Sequence, residues 1–133
     1  MTRQLYFMFS ILLVLVFFTG LTHAQSDPPS NLQASNSNKA LKLTWEVPGN
    51  GQEVVYNIYR AEVQSTSDAA DPMKLNFTKV STVKETTFED RSAAPGQAYV
   101  YYVVSVNQDG VESAGSNYVN VKIGEKDAEA GLY

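Results

Sequence analysis

Alternating apolar and polar residues mark a series of short strands along the chain. In the run of residues 41–46, every second residue is apolar, which places Leu41, Leu43 and Trp45 on one face. Turn-forming sequences rich in Gly, Pro, Asn and Asp separate the runs. The predicted strands cover residues 31–34, 41–46, 54–60, 76–80, 86–89, 97–107 and 117–123. No run has the period of an amphipathic helix, so the pattern predicts an all-β chain.

Seven short antiparallel strands are typical of two sheets packed face to face around one apolar core. A chain of 133 residues is long enough to bury such a core as a single domain. The alternation predicts which side chains point inward. The expected structural core consists of Leu43, Trp45, Tyr56, Ile58, Tyr99, Tyr101 and Val103.

The N-terminal residues have the pattern of a secretory signal rather than of a domain. Arg3 precedes an apolar run over residues 5–18, and the small-residue site at residues 22–24 suits cleavage. The apolar run is shorter than the ~20 residues that a membrane-spanning helix needs. We therefore expect a signal peptide at 1–24 and no stable membrane insertion after its removal. An uncleaved anchor is the alternative. An extended segment at 25–27 follows the signal.

Four motifs resemble those of fibronectin type III domains. Residues 28–34, Pro-Pro-Ser-Asn-Leu-Gln-Ala, resemble the first strand of that family, and residues 43–45, Leu-Thr-Trp, its second. Residues 56–60, Tyr-Asn-Ile-Tyr-Arg, are similar to third strands that are common in bacterial secreted proteins. Residues 95–99, Pro-Gly-Gln-Ala-Tyr, are similar to the turn into the sixth strand.

The resemblance covers residues 28–123 and implies a seven-stranded antiparallel immunoglobulin-like sandwich. It places Tyr99 at the family's tyrosine corner, so its hydroxyl should hydrogen-bond to the backbone of the preceding corner. Two departures are the long connection at 61–73 and Ser105, where the family usually has alanine. Neither threatens the fold. A family resemblance of this kind does not carry a function with it.

The side-chain inventory excludes several kinds of chemistry. The chain has no cysteine, and its single histidine, His23, lies in the predicted signal. A mature chain without these residues cannot form Ser-His-Asp or Cys-His sites, zinc sites with His or Cys ligands, or haem ligation by His or Cys. The net charge of −4 and the lack of a basic stripe also argue against nucleic acid as a partner. We expect no enzyme activity and no cofactor or metal.

The outer face of the sheet formed by strands three, six and seven is the candidate binding site. If Tyr56, Tyr101 and Val119 face the core, alternation puts the neighbouring residues, including Asn57 and Asn120, outside. The predicted binding face consists of Val55, Tyr59, Tyr102, Val104 and Tyr118. Tyrosine offers a large apolar area with a polar tip, which suits recognition of a protein or a sugar. Ordinary strand propensity explains the same composition without any ligand.

Four other features have weaker functional interpretations. Glu89 and Asp90 are adjacent carboxylates, but neighbours on a strand point to opposite faces and cannot flank one bond. The loop at 62–71 is either a recognition loop or a tolerated insertion. Asn76 begins a glycosylation sequon that matters only in a eukaryote. The tail at 124–133 should be mobile, as a docking peptide or simply an end.

The sequence therefore predicts a secreted, non-catalytic recognition module. Its expected partner is another extracellular protein or a glycan. A periplasmic or cell-surface location is compatible with the same signal. The alternative function is a structural spacer or assembly subunit without a ligand of its own.

Overall fold

A computed structural model describes residues 25–37, 40–49 and 53–124. The predicted signal peptide, most of the C-terminal tail and parts of two predicted turns lie outside these residues. The described strands are β1 (Ser30–Ser37), β2 (Ala40–Glu46), β3 (Val55–Val63), β4 (Thr78–Val83), β5 (Thr87–Asp90), β6 (Ala98–Val106) and β7 (Val119–Lys122). They form a three-stranded sheet in the order β1-β2-β5 and a four-stranded sheet in the order β4-β3-β6-β7. The all-β sandwich expected from the sequence is confirmed.

The core lies between the two sheets and follows the period-two pattern of the strands. Along β2, Leu41, Leu43 and Trp45 are buried while the residues between them are exposed. The Trp45 ring meets the Tyr56 ring edge to face, with centroids 5.4 Å apart. All seven residues of the expected core are buried. Leu32, Leu41 and Ile123 join the same cluster.

The tyrosine-corner hydrogen bond expected from the family resemblance is present. The Ala94 amide donates to the Tyr99 hydroxyl over 2.9 Å, and the Tyr99 ring is 2% exposed. This bond joins the start of β6 to the chain that leads into it. Tyr99 therefore serves the scaffold.

The structure corrects the expected course of the chain after β3. β3 continues to Val63, beyond its predicted end at residue 60. The connection that follows contains two short 3-10 turns, Asp68–Ala70 and Pro72–Lys74, where we expected only a loop. The Asp71 side chain accepts a hydrogen bond from the Met73 amide and so begins the second turn. Short turns of this kind have no hydrophobic period that sequence analysis could detect.

Side chains replace main-chain pairing at one edge of the sandwich. β1 contains a register shift at Leu32, next to Asn31, whose φ is 51°. The Asn117 amide group donates to the Leu32 carbonyl over 3.0 Å and accepts from its amide over 2.9 Å. This pair of bonds ties β1 to the segment before β7. It satisfies backbone groups that the register shift removes from the sheet ladder.

Candidate functional site

Four aromatic rings form a continuous cluster on the outer side of the four-stranded sheet. The aromatic face, as we call it, consists of Tyr59, Phe77, Tyr102 and Tyr118. The rings of Tyr59 and Tyr102 are stacked, with centroids 4.9 Å apart and planes 8° apart. Phe77 meets Tyr102 edge to face at 4.8 Å, and Tyr118 does so at 5.6 Å. Tyr102 therefore lies at the centre of the cluster.

Strand register explains how these four residues meet. Tyr59 of β3 lies directly opposite Tyr102 of β6, so their side chains leave the same side of the sheet. Phe77 immediately precedes β4 and Tyr118 immediately precedes β7. The edge strands thus bring one ring each to the central pair. Tyr118 is 44% exposed, whereas the other three rings are half-buried.

Glu112 borders the aromatic face and collects hydrogen bonds from β3. Its Oε1 atom accepts from the Tyr59 hydroxyl over 2.5 Å and from Asn57 Nδ2 over 2.7 Å. Asn57 Oδ1 in turn accepts from the Thr82 hydroxyl of β4. The hydrogen bond to Glu112, followed by burial, raises the pKa of Tyr59 to about 12. Burial chiefly, with the charges of Tyr118 and Glu112, raises the pKa of Tyr102.

The predicted binding face matches this geometry only in part. Tyr59, Tyr102 and Tyr118 lie together, and Val55 is half-buried at the start of β3. Val104, by contrast, is only 4% exposed, so the expectation that it lies open to a partner is wrong. Asn57 faces outward but is also buried, because its amide is held between Glu112 and Thr82.

Phe77 and its neighbour Met73 were not among the residues predicted for this site, in part because β4 was not expected in this sheet. Phe77 lies in the Asn-Phe-Thr sequon at residues 76–78, within a predicted strand that we did not assign to this sheet. Met73 belongs to the second 3-10 turn and is 83% exposed. Its sulfur accepts from the Tyr118 hydroxyl at a long 4.0 Å. The pairing of β3 with β4 is the signal that would have found Phe77.

Gly115 shows how closely the chain passes over the aromatic face. A Cβ atom at this position would lie 3.2 Å from Cδ2 of the Tyr102 ring. That distance is shorter than ordinary van der Waals contact, so the absence of a side chain lets the segment between β6 and β7 approach the ring.

A second cluster of polar side chains lies between the two sheets. The inter-sheet clasp, as we call it, consists of Arg60, Asp90, Ser92 and Tyr101. Asp90 Oδ2 accepts from Arg60 Nη1 over 2.8 Å and from the Tyr101 hydroxyl over 2.7 Å. The Ser92 amide and hydroxyl donate to the other oxygen of Asp90. The Asp90 side chain is 2% exposed, so this carboxylate is enclosed and fully partnered.

The two adjacent carboxylates, Glu89 and Asp90, lie in different environments. Glu89 is exposed and pairs with Arg91 over 3.2 Å, whereas Asp90 points into the molecule. The two groups share no site, as the strand period predicts. Within the described ranges, no group of His, Cys, Asp and Glu residues could hold a metal ion. The same ranges contain no helix that is long and apolar enough to span a membrane.

The family of the chain follows from its sequence match as well as its fold. The model of the fibronectin type III domain matches residues 27–122. This chain belongs to the fibronectin type III family. The match begins and ends within one residue of the domain predicted at 28–123.

Two curated relatives of this fibronectin type III domain are enzymes. An amylopullulanase of Thermoanaerobacter thermohydrosulfuricus is 34% identical over 107 residues, which are 80% of this chain and 6% of the enzyme. An amylopullulanase of Thermoanaerobacterium thermosulfurigenes is 34% identical over 90 residues, which are 67% of this chain and 4% of the enzyme. The chain therefore matches only a small segment of each relative.

Solved structures share the fold of this fibronectin type III domain. A fibronectin-type-III-like protein from Clostridium thermocellum superposes with a TM-score of 0.58 and 24% identity. The superposition covers 77% of this chain and 97% of that protein. This likeness concerns the architecture of the sandwich alone.

Proposed function

We propose that this fibronectin type III domain is an exported, non-catalytic recognition module that binds a protein or a glycan through its aromatic face. The observation that carries the proposal is the continuity of the Tyr59, Phe77, Tyr102 and Tyr118 rings on one side of the sheet. Aromatic residues are enriched in protein interfaces because each contributes a large contact area with few rotatable bonds. A spacer has no need of such a cluster.

The relatives support a role beside carbohydrate-active enzymes. Both amylopullulanases contain a segment that is 34% identical to this domain and is a small part of the whole protein. A module of this kind would contribute binding or positioning while other parts of the enzyme perform catalysis. We extend this role to the present chain, with a secreted, periplasmic or cell-surface location supported by its signal-like N-terminus.

The test is capture from the source organism's extracellular fraction, alongside binding to immobilised pullulan and amylose. The wild type is compared with a variant in which Tyr59, Tyr102 and Tyr118 are all changed to Ser. A matched control carries Lys42→Ser and Thr44→Ser on the exposed side of β2. We expect binding that the control retains and the triple variant loses at least tenfold. Circular dichroism and the unfolding midpoint verify that each variant is folded.

The single variant Tyr118→Ser guards against a folding defect, because Tyr118 is the most exposed ring of the face. It should weaken binding and leave the unfolding midpoint unchanged. Binding that both tyrosine variants retain would contradict the proposal and direct attention to the loop at 62–71. Absence of any binding would favour the spacer function.

A further inference from the structure

The hydrogen bonds of the Glu112 carboxylate involve only one of its two oxygens, and the residue is exposed. Both of its hydrogen bonds, from Asn57 and Tyr59, end on Oε1. Within the described part of the chain, Oε2 has no hydrogen-bond partner, and Glu112 is an exposed residue. An ionised carboxylate can accept about four hydrogen bonds. Glu112 is therefore fixed in position by β3 while half of its accepting capacity stays open.

No cation of the described chain neutralises this carboxylate. The ion pairs found among residues 25–37, 40–49 and 53–124 join Arg60 to Asp90, Lys74 to Asp71 and Arg91 to Glu89. Glu112 takes part in none of them. A fixed negative charge thus borders the half-buried and exposed rings of the aromatic face.

The inter-sheet clasp and the neighbouring Tyr99 ring combine a carboxylate and an aromatic ring with a guanidinium. There, the Arg60 guanidinium donates to Asp90 and also lies over the Tyr99 ring, 4.7 Å from its centroid. A guanidinium gains from both contacts, because the ring face is electronegative and the carboxylate is an ideal acceptor. The aromatic face offers rings and a carboxylate without a guanidinium.

We propose that the aromatic face and Glu112 together receive an arginine side chain of a partner protein. The guanidinium would donate to Glu112 Oε2 while its plane lies against the tyrosine rings. Arginine suits this position better than lysine, because its planar group stacks on rings and forms directed pairs with carboxylates. The inference rests on the proposed recognition function and names the chemistry of the ligand.

The geometry favours an arginine over a sugar for two reasons. Tyr59 and Tyr102 cover one face of each other by stacking, and the ring area that remains suits a small planar guanidinium better than a bulkier pyranose. A guanidinium would also gain the attraction between two full charges at Glu112, whereas a neutral sugar hydroxyl would gain only a charge-assisted hydrogen bond. The negative charge therefore contributes most with a cationic partner, and charge complementarity favours arginine over a sugar.

The experiment is an NMR titration of the isotope-labelled full chain with the peptide Ac-Gly-Arg-Gly-NH2. The matched probe replaces arginine by citrulline, which has nearly the same shape and no charge. We expect saturable shifts at Tyr102, Glu112 and Tyr118 with the arginine peptide, and binding about five- to thirtyfold weaker with citrulline. Glu112→Gln should reduce that difference, leaving only the contribution of the cation against the rings. Glu85→Gln removes an equal charge from the exposed turn between β4 and β5 and should preserve it.

Other outcomes would overturn the inference without deciding the recognition function. Equal binding of both peptides to the wild type would show that charge plays no part. An equal loss in Glu85→Gln would show a general effect of net charge. Shifts with maltotetraose that Glu112→Gln leaves unchanged would identify a glycan site, so recognition would stand and the arginine site would fall. Failure of the recognition function itself appears separately, in the capture experiment with the tyrosine variants.

Discussion

The inter-sheet clasp and the aromatic face place a carboxylate beside tyrosine hydroxyls in two different environments. In the clasp, Asp90 is enclosed and accepts hydrogen bonds from Arg60, Tyr101 and both the amide and the hydroxyl of Ser92. At the aromatic face, Glu112 is exposed and receives only uncharged donors from the described chain. Asp90 thus has hydrogen-bond donors on both oxygens, whereas Glu112 is held in place through one oxygen only.

This difference in burial indicates that the clasp stabilises the fold and that the aromatic face is suited to recognition. A buried charge without partners is strongly destabilising, so the clasp must be satisfied by the chain itself. An exposed charge is hydrated by water and can remain unpaired at little cost. Only the second arrangement leaves a functional group available to another molecule. The comparison predicts that changes in the clasp alter stability and that changes at the aromatic face alter binding.

Removing the carboxylate of the clasp should have the largest effect on stability. Asp90→Ala leaves the Arg60 guanidinium and the Tyr101 hydroxyl without their acceptor, and we expect a loss of about 3 kcal/mol in unfolding free energy. Urea unfolding followed by the fluorescence of Trp45, the single tryptophan, measures it. Glu89→Ala on the same strand is the control and should change stability by less than about 0.5 kcal/mol. Equal losses in the two variants would refute the special role of Asp90.

Removing a tyrosine hydroxyl should cost more unfolding free energy in the clasp than at the aromatic face. Both losses should be smaller than the loss in Asp90→Ala. Tyr101→Phe deletes a buried donor to an ionised carboxylate, with an expected loss of about 2 kcal/mol. Tyr59→Phe deletes a donor to an exposed carboxylate, and the expected loss is below about 1 kcal/mol because water can replace it. The same urea experiment compares both variants. If Tyr59→Phe were the more destabilising change, the aromatic face would be a structural element like the clasp.

Acid should weaken the clasp through protonation of Asp90. Burial alone would raise the pKa of Asp90, but hydrogen bonds from Ser92, Tyr101 and Arg60 outweigh it and lower this pKa below the usual 3.8. Because the pKa is lower in the folded chain, the stabilisation is present above about pH 4 and disappears as the pH falls through the folded pKa. The stability difference between wild type and Asp90→Asn, measured from pH 7 to pH 2, should therefore narrow below pH 4. A constant difference would mean that Asp90 titrates normally.

The sequence was sufficient to predict the scaffold but not the inter-sheet clasp. Alternation along β2, β3 and β6 identified the buried residues, because burial on a strand follows a period of two. The inward direction of Asp90 follows from the same period, but its partners come from β3 and β6 in the opposite sheet. Nothing local to residues 89–90 indicates which distant side chains they meet. Contacts between strands that are distant in the sequence therefore could not be predicted from the local pattern.

The same limit explains the partial prediction of the aromatic face. The three tyrosines were found because β3, β6 and the predicted strand at 117–123 alternate regularly, whereas Phe77 required knowledge that β4 pairs with β3. Val104 was expected to be exposed because alternation predicts which side of the sheet a side chain leaves. It does not predict whether other parts of the chain bury that side chain. Glu112 lies in the irregular segment after β6, where periodicity carries no information. Its role became visible only through its contacts with Asn57 and Tyr59.

The smallest expected effect concerns the proton on Tyr59, and it tests whether Glu112 is held in place. A pKa of about 12 means that the Tyr59 hydroxyl keeps its proton at pH values well above 10, the usual pKa of tyrosine. Because the pKa is higher in the folded chain, the small stabilisation is present below about pH 10 and is lost as the pH rises through 12. The phenolate absorbance of wild type minus that of Tyr59→Phe isolates this residue among the eight tyrosines.

Glu112→Gln should lower the pKa of Tyr59 towards 10, because the hydrogen bond to a charged acceptor is its main cause. Glu85→Gln is the matched control and should leave the titration unchanged. A wild-type Tyr59 that titrates near pH 10 would mean that Glu112 is not fixed against β3 in solution. The carboxylate would then lack the orientation that distinguishes the aromatic face from an ordinary exposed charge, and the arginine site would lose its structural basis.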